Sequence, residues 1–129
     1  MTKFWFDHLH LVVLDPVKTA QFYVRVFGAE QVGVVNLPDG RLRVNLNING
    51  GRMLINTPRP SEQRKPDSPR DKYGAEHFGM KVDDLEDALK ICKGAGGQIV
   101  QDITESRPGV RYAFVMAPDD VLIELVEMK

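Results

Sequence analysis

The chain has 129 residues, 43% hydrophobic and 27% charged, with 17 Lys and Arg against 18 Asp and Glu. This is the size and composition of one globular domain, and a net charge of −1 leaves no basic excess to neutralise a nucleic-acid backbone. No apolar run reaches the ~20 residues that cross a bilayer, the start MTKFWFDHLH is no signal peptide, and the lone Cys92 excludes an internal disulfide, so a reducing, cytoplasmic setting is expected.

The first element is a strand from His8, in which Leu9, Leu11 and Val13 alternate with His8, His10 and Val12. Asp15-Pro16 then opens a helix, with an N-cap oxygen before a proline that fits the first helical turn. Ala20, Tyr23, Val24 and Phe27 recur at helical spacing, and Gly28 ends the run. Three strands follow, near residues 31–37, 42–48 and 53–57, with turns at Pro38-Asp39-Gly40 and Asn49-Gly50-Gly51. Within Arg43–Ile48, Val44, Leu46 and Ile48 share the core face, while Arg43, Asn45 and Asn47 share the other.

Residues 58–72 read as an exposed linker, mixing Arg59, Arg64, Lys65, Arg70 and Lys72 with Glu62, Asp67 and Asp71. The order of elements then repeats. A strand from His77 places Phe78, Met80 and Val82 opposite His77, Gly79 and Lys81; Asp84 caps a helix carrying Leu85, Ala88, Leu89 and Cys92. The cluster Gly94–Gly97 ends it, and strands follow near residues 98–105, 110–116 and 121–127. His8 and His77, Asp15 and Asp84, Gly28 and Gly97, and Gly40 and Gly109 are each 69 residues apart. The fold class is therefore α+β, two β-α-β-β-β modules (4–57 and 73–129) within one domain. Each module buries one sheet face under its helix, and the other faces are expected to line a shared cup.

On those open faces lie His8, His77 and Glu124. Taken singly, each has an ordinary reading: a hydrogen-bonded strand histidine, or a glutamate paired with a neighbouring Lys or Arg. Together, two imidazoles and a carboxylate suit Zn, Fe(II), Mn, Ni or Co and leave coordination positions open. His10 shares the face of His8 but meets Gly79 in the repeat, which favours a role other than ligand. Cys92 falls on the buried helix stripe and reads as core.

Three stretches, HLHLVVLDPVKTAQFYVRVFGAE, HFGMKVDDLEDALKICKGAGGQI and YAFVMAPDDVLIELVE, resemble the vicinal oxygen chelate superfamily, which joins glyoxalases, bleomycin resistance proteins and extradiol dioxygenases. The resemblance implies paired modules in a cup-shaped mixed sheet around one divalent ion, with His8, His77 and Glu124 as its ligands. The family's further ligand position, in the last strand of the first module, falls by the 69-residue spacing on Ile55, which cannot bind metal; Asn56 is its neighbour. That departure points away from lactoylglutathione lyases and methylmalonyl-CoA epimerases. A His-His-Glu set is similar to that of extradiol dioxygenases and fosfomycin-modifying enzymes. Both commonly carry a Tyr ten residues before the Glu, where this chain has Phe114, with Tyr112 on the same face.

The expected activity is metal-dependent chemistry, of lyase, isomerase or dioxygenase type, on a small molecule that chelates the metal through neighbouring oxygens. Tyr112, His10 and Lys81 are the candidate catalytic groups, and Arg43, Asn45, Asn47 and Phe114 the candidate substrate contacts. The alternative is a non-catalytic or antibiotic-sequestering binding protein of the same fold. The apolar Phe4-Trp5-Phe6 patch and the free sheet edges lead us to expect a homodimer with Trp5 near the contact.

Overall fold

The computed structural model describes residues 1–62, 64, 69–71 and 73–129. Lys65, Asp67 and Lys72 of the linker lie outside the described residues. The chain divides into two compact units, residues 1–64 and 65–129.

The first unit runs β1 (His8–Val12), α1 (Pro16–Phe27), β2 (Glu30–Asn36), β3 (Leu42–Ile48) and β4 (Gly51–Asn56). Its sheet has the order β1-β4-β3-β2, with β1 parallel to β4 and the other pairs antiparallel. The second unit repeats this with β5 (Phe78–Val82), α2 (Leu85–Gly94), β6 (Gln98–Arg107), β7 (Val110–Ala117) and β8 (Val121–Met128), in the order β5-β8-β7-β6. The architecture is thus α+β, two four-stranded mixed sheets with a helix each. A short 3₁₀ turn at Pro69–Asp71 lies within the stretch that reads as linker.

Local chemistry starts and stops the helices where the sequence indicated. Asp15 Oδ1 accepts from the Lys18 N–H at 3.1 Å, Pro16 stands in the first turn, and Gly28 closes α1 in the left-handed region at φ 68°. Asp84 caps α2 through the Asp87 N–H at 2.9 Å. The buried stripe of α1 is Pro16, Thr19, Ala20, Phe22 and Tyr23. Val24, expected on that stripe, is 40% exposed, because the contact with the sheet is centred one residue earlier in the helical turn.

Strand register assigns the faces. In the first unit Leu9 and Leu11 pair with Met53 and Ile55, which pair with Leu46 and Val44. Met53, Ile55, Leu46 and Val44 are buried on the helix side, and Leu9 and Leu11 are half-buried. In the second unit Phe78 and Met80 pair with Ile123 and Leu125, which pair with Val115 and Ala113.

Ile55 is where the sequence reading fails. Expected on the open face, it is fully buried on the helix face between Leu11 and Val44. The cause is the hairpin between the last two strands of each unit. In the first, Ile48 pairs with Gly51 across a two-residue turn whose residues, Asn49 and Gly50, both have positive φ. In the second, Ala117 pairs with Val121 across the three residues Pro118-Asp119-Asp120. The additional residue lengthens the repeat offset from 69 to 70 in the final strand. Since a one-residue slip exchanges sheet faces, the position equivalent to Glu124 is Leu54. Leu54 stands beside His10 as Glu124 stands beside Gly79. The chemical conclusion is unchanged, because leucine also offers no ligand atom.

Candidate metal centre

In the second unit the open face is built from Gly79 and Lys81 on β5, Leu122, Glu124 and Val126 on β8, and Tyr112, Phe114 and Met116 on β7. His77 immediately precedes β5, two residues before Gly79, and so continues the same row. Its Nε2 lies 3.7 Å from Glu124 Oε1. That is too long for a hydrogen bond. Metal–ligand bonds of about 2.0–2.2 Å place neighbouring ligand atoms about 3–3.6 Å apart, so the 3.7 Å separation is close to that of two atoms sharing an ion.

Gly79 helps keep this space open. A Cβ there would stand 3.9 Å from Glu124 Oε1, and any larger side chain would enter the region beside the carboxylate. Phe114 pairs with Glu124 across the strands and presents its ring edge-to-face to His77, with centroids 4.9 Å apart. Arg70, from the 3₁₀ turn, places its guanidinium carbon 4.8 Å from the centre of the Phe114 ring.

The other nitrogen of His77 is also engaged. Nδ1 lies 3.0 Å from Glu76 Oε1. In the first unit the arrangement recurs: His8 Nδ1 lies 2.6 Å from Asp7 Oδ2, and the same oxygen accepts from Arg52 Nη1 at 2.8 Å. The His8 ring, with the Arg52 charge beside it, holds the Asp7 carboxyl below its ordinary range. A carboxylate at Nδ1 fixes the proton there and leaves the Nε2 lone pair outward, the state in which histidine binds metal. Sequence alternation missed Asp7 and Glu76, since both precede the strands. The signal was present all the same: each histidine follows an acid, and the two acids are 69 residues apart.

The remaining candidates divide by what they touch. In the first unit His10, Leu54, Asn45 and Gly33 form one cross-strand row, and Val12, Asn56, Arg43 and Val35 the next. Buried Asn56 gives its amide N–H to the Thr57 carbonyl at 2.7 Å, so its oxygen faces His10 and accepts from His10 Nε2–H. Asn47, also on this face, has its oxygen held by the Gly50 N–H at 2.7 Å, so it stabilises the hairpin. Arg43 Nε and Asn45 Oδ1 are buried with no hydrogen-bond partner among the described residues. Leaving such atoms unpaired costs about 1–3 kcal/mol each. In the second unit the Tyr112 hydroxyl accepts from Gln101 Nε2 at 3.2 Å, and its ring packs edge-to-face on Phe114. Lys81 shares the open face, across from Val126.

Other charged groups have structural partners. Arg59 and Arg64 both pair with Glu62, at 3.1 and 2.7 Å. Asp84, Glu86 and Glu127 bring ligand oxygens within 4.8 Å of one another. Glu127, however, accepts from the Leu85 N–H at 2.9 Å and from Arg111, and Arg111 also grips Glu86 with two bonds, at 2.7 and 2.9 Å. That cluster is an ion-pair network anchoring α2. Cys92 is buried in α2, and desolvation pushes its thiol up to about 11, which leaves it unionised at neutral pH.

Comparison with known proteins agrees with the fold. A family model described as the Glyoxalase/Bleomycin resistance protein/Dioxygenase superfamily matches residues 5–125. An uncharacterized protein of Mycobacterium bovis is 31% identical over 112 residues, covering 84% of this chain and 74% of the relative. A glyoxalase family protein from Bacillus cereus superposes with a TM-score of 0.86 at 14% identity, over 99% of this chain and 96% of its own. A mutant of a fosfomycin resistance protein from Listeria monocytogenes, complexed with Mn(II) and dihydroxypropylphosphonic acid, superposes with a TM-score of 0.71 at 18% identity, covering 96% of this chain and 90% of its own.

Proposed function

We propose that this chain, which belongs to the Glyoxalase/Bleomycin resistance protein/Dioxygenase superfamily, is a divalent-metal-dependent enzyme acting on a small oxygen-bearing molecule. The observation that carries the reading is the paired preparation of the two histidines. Each has Nδ1 tied to the carboxylate that precedes it, and His77 directs its free Nε2 toward Glu124. The donor set of imidazole nitrogen and carboxylate oxygen fits a first-row divalent ion. His77 and Glu124 would hold that ion, with His8 as the third ligand. Such an ion, when bound, supplies Lewis-acid stabilisation of negative charge developing on a substrate oxygen.

The protein groups around the ligands have separate tasks in this reading. The Tyr112 hydroxyl accepts from Gln101, so its own proton remains available for donation. His10, with Nε2–H fixed by Asn56, keeps Nδ1 as a proton acceptor. Phe114 holds the His77 ring in place and keeps water from one side of it. Lys81 brings a positive charge to the same sheet face.

The test is a titration of metal-free protein with Mn(II), Ni(II), Zn(II) and Fe(II), followed by turnover assays on vicinal diols, hydroxyketones and epoxides. One ion per chain at micromolar concentration is expected. His77→Ala and Glu124→Ala should each weaken binding by at least about ten-fold, and turnover should require metal. Equal affinity in wild type and His77→Ala would refute the ligand assignment. Saturable ligand binding without turnover would favour the sequestering alternative.

A further inference from the structure

The open sheet face of the first unit carries an incomplete hydrogen-bonding set, and its composition describes a ligand. The polar groups there include Glu30, exposed beside Asn47, with His8, Arg52, His10, Asn56, Asn47, Arg43 and Asn45, and Asp7 stands just before β1. Asp7 binds both His8 and Arg52; His10 and Asn56 bind each other; Asn47 holds the hairpin. What remains is one buried donor, Arg43 Nε–H, and one buried acceptor, Asn45 Oδ1. They stand two residues apart on β3, on the same face and in adjoining cross-strand rows. The neighbouring Arg41 is no model for Arg43, because its Nε already donates to Asp39 at 2.8 Å. No ion pair of Arg43 is found among the described residues. Opposite Asn45 lies Gly33, next to an irregularity in β2, and a Cβ at Gly33 would meet nothing within 4 Å. The strand therefore leaves open space beside Asn45.

From this we infer that Arg43 and Asn45 form an anchoring subsite for a small hydroxy carboxylate, with the carboxylate on the Arg43 guanidinium and the hydroxyl donating to Asn45 Oδ1. A planar guanidinium edge of Nε–H and Nη–H matches a carboxylate in bidentate fashion. The site suits a monoanion, because Arg52, the other guanidinium on this face, is already neutralised by Asp7. The acceptor on Asn45 requires a donor on the ligand, which a simple carboxylate lacks. The inference goes beyond the metal reading and does not depend on it, since neither residue is a proposed metal ligand.

The experiment follows the Arg43 Nε–H resonance in ¹H–¹⁵N spectra of the full chain. Butyrate and 3-hydroxybutyrate, which differ by one hydroxyl, are titrated in the metal-free and Zn(II)-loaded protein. The Nε–H signal should move downfield saturably with both acids. The hydroxy acid should bind about three- to ten-fold more tightly, and Asn45→Leu should erase that preference. Arg43→Lys, which keeps the charge but loses the planar edge, should weaken both acids by about ten-fold. An unmoved Nε–H signal in wild type would overturn the proposal without reference to any variant. A preference that survives Asn45→Leu, or unchanged affinity in Arg43→Lys, would do the same. Zn(II) binding is read separately in the same samples, so a failed metal site and a failed carboxylate subsite give different results.

Discussion

At the scale of single residues, the candidate site was legible where it obeyed the two-residue period of a strand. His8, His77 and Glu124 could be assigned to open faces from alternation alone, because Leu9, Phe78, Ile123 and Leu125, one step along their strands, are apolar and take the opposite face. Asp7 and Glu76 carry no such pattern, and their meaning emerges only when their carboxylates are seen at the Nδ1 atoms. Glu76→Gln is expected to lower metal affinity by about 10–100-fold while leaving the melting temperature unchanged, since the side chain is 46% exposed. Calorimetric titration with Zn(II) beside a thermal melt checks both halves. A different glutamate controls stability. Glu127 is buried beneath the start of α2, and the Leu85 N–H, with Arg111 beside it, holds its carboxyl below the ordinary range. Arg111 likewise holds Glu86 down at about 2. A depressed folded-state value means that the stabilisation is complete above the unfolded carboxylate range, near 4.5, and is lost as pH falls through the folded-state value. Glu127→Gln should therefore melt at a lower temperature at pH 7 and show a shallower decline between pH 5 and 3 than wild type.

At the scale of elements, strands and helices were readable because caps, turns and alternation agree along most of the chain. The register of the last strand was not, because it depends on a hairpin one residue longer in the second unit than in the first. Loop composition holds the clue, in Asn49-Gly50 against Pro118-Asp119-Asp120, because the longer turn breaks the equal spacing of the repeat. The two registers predict opposite outcomes for neighbouring substitutions. Ile55→Glu would bury a carboxylate on the helix face and should abolish cooperative unfolding, and Ile55→Ala should cost about 2–5 kcal/mol. Leu54→Glu places its carboxylate beside His10 at a position only 7% exposed, so it should cost less stability than Ile55→Glu and gain pH-dependent metal affinity. Denaturant melts of the three variants test the register directly. If Ile55→Glu tolerates folding better than Leu54→Glu, the register is wrong.

At the scale of the whole molecule, the repeat is the dominant feature: two units with one element order, one strand order and one way of preparing a histidine. Internal self-similarity made this visible in the sequence, although few identities support it, because a sheet needs only alternating polarity to choose its buried face. Phe4, Trp5 and Phe6 lie outside both sheets and are 91%, 80% and 87% exposed. Three adjacent aromatic residues in water favour association, and a homodimer covering Trp5 is the expected outcome. Sedimentation should give twice the chain mass, and Trp5 emission should shift to the red on dilution. A monomer at tens of micromolar with unchanged emission would exclude it. The central proposal is that His77 and Glu124 hold one ion, with His8 as the third ligand, each histidine binding through Nε2. Long-range ¹H–¹⁵N spectra of the imidazoles during Zn(II) titration test it most directly. The account predicts that Nε2 of both histidines moves together, saturating at one ion per chain, while both Nδ1 atoms stay protonated. Separate titration of the two rings, metal at Nδ1, or no change in either ring would contradict it.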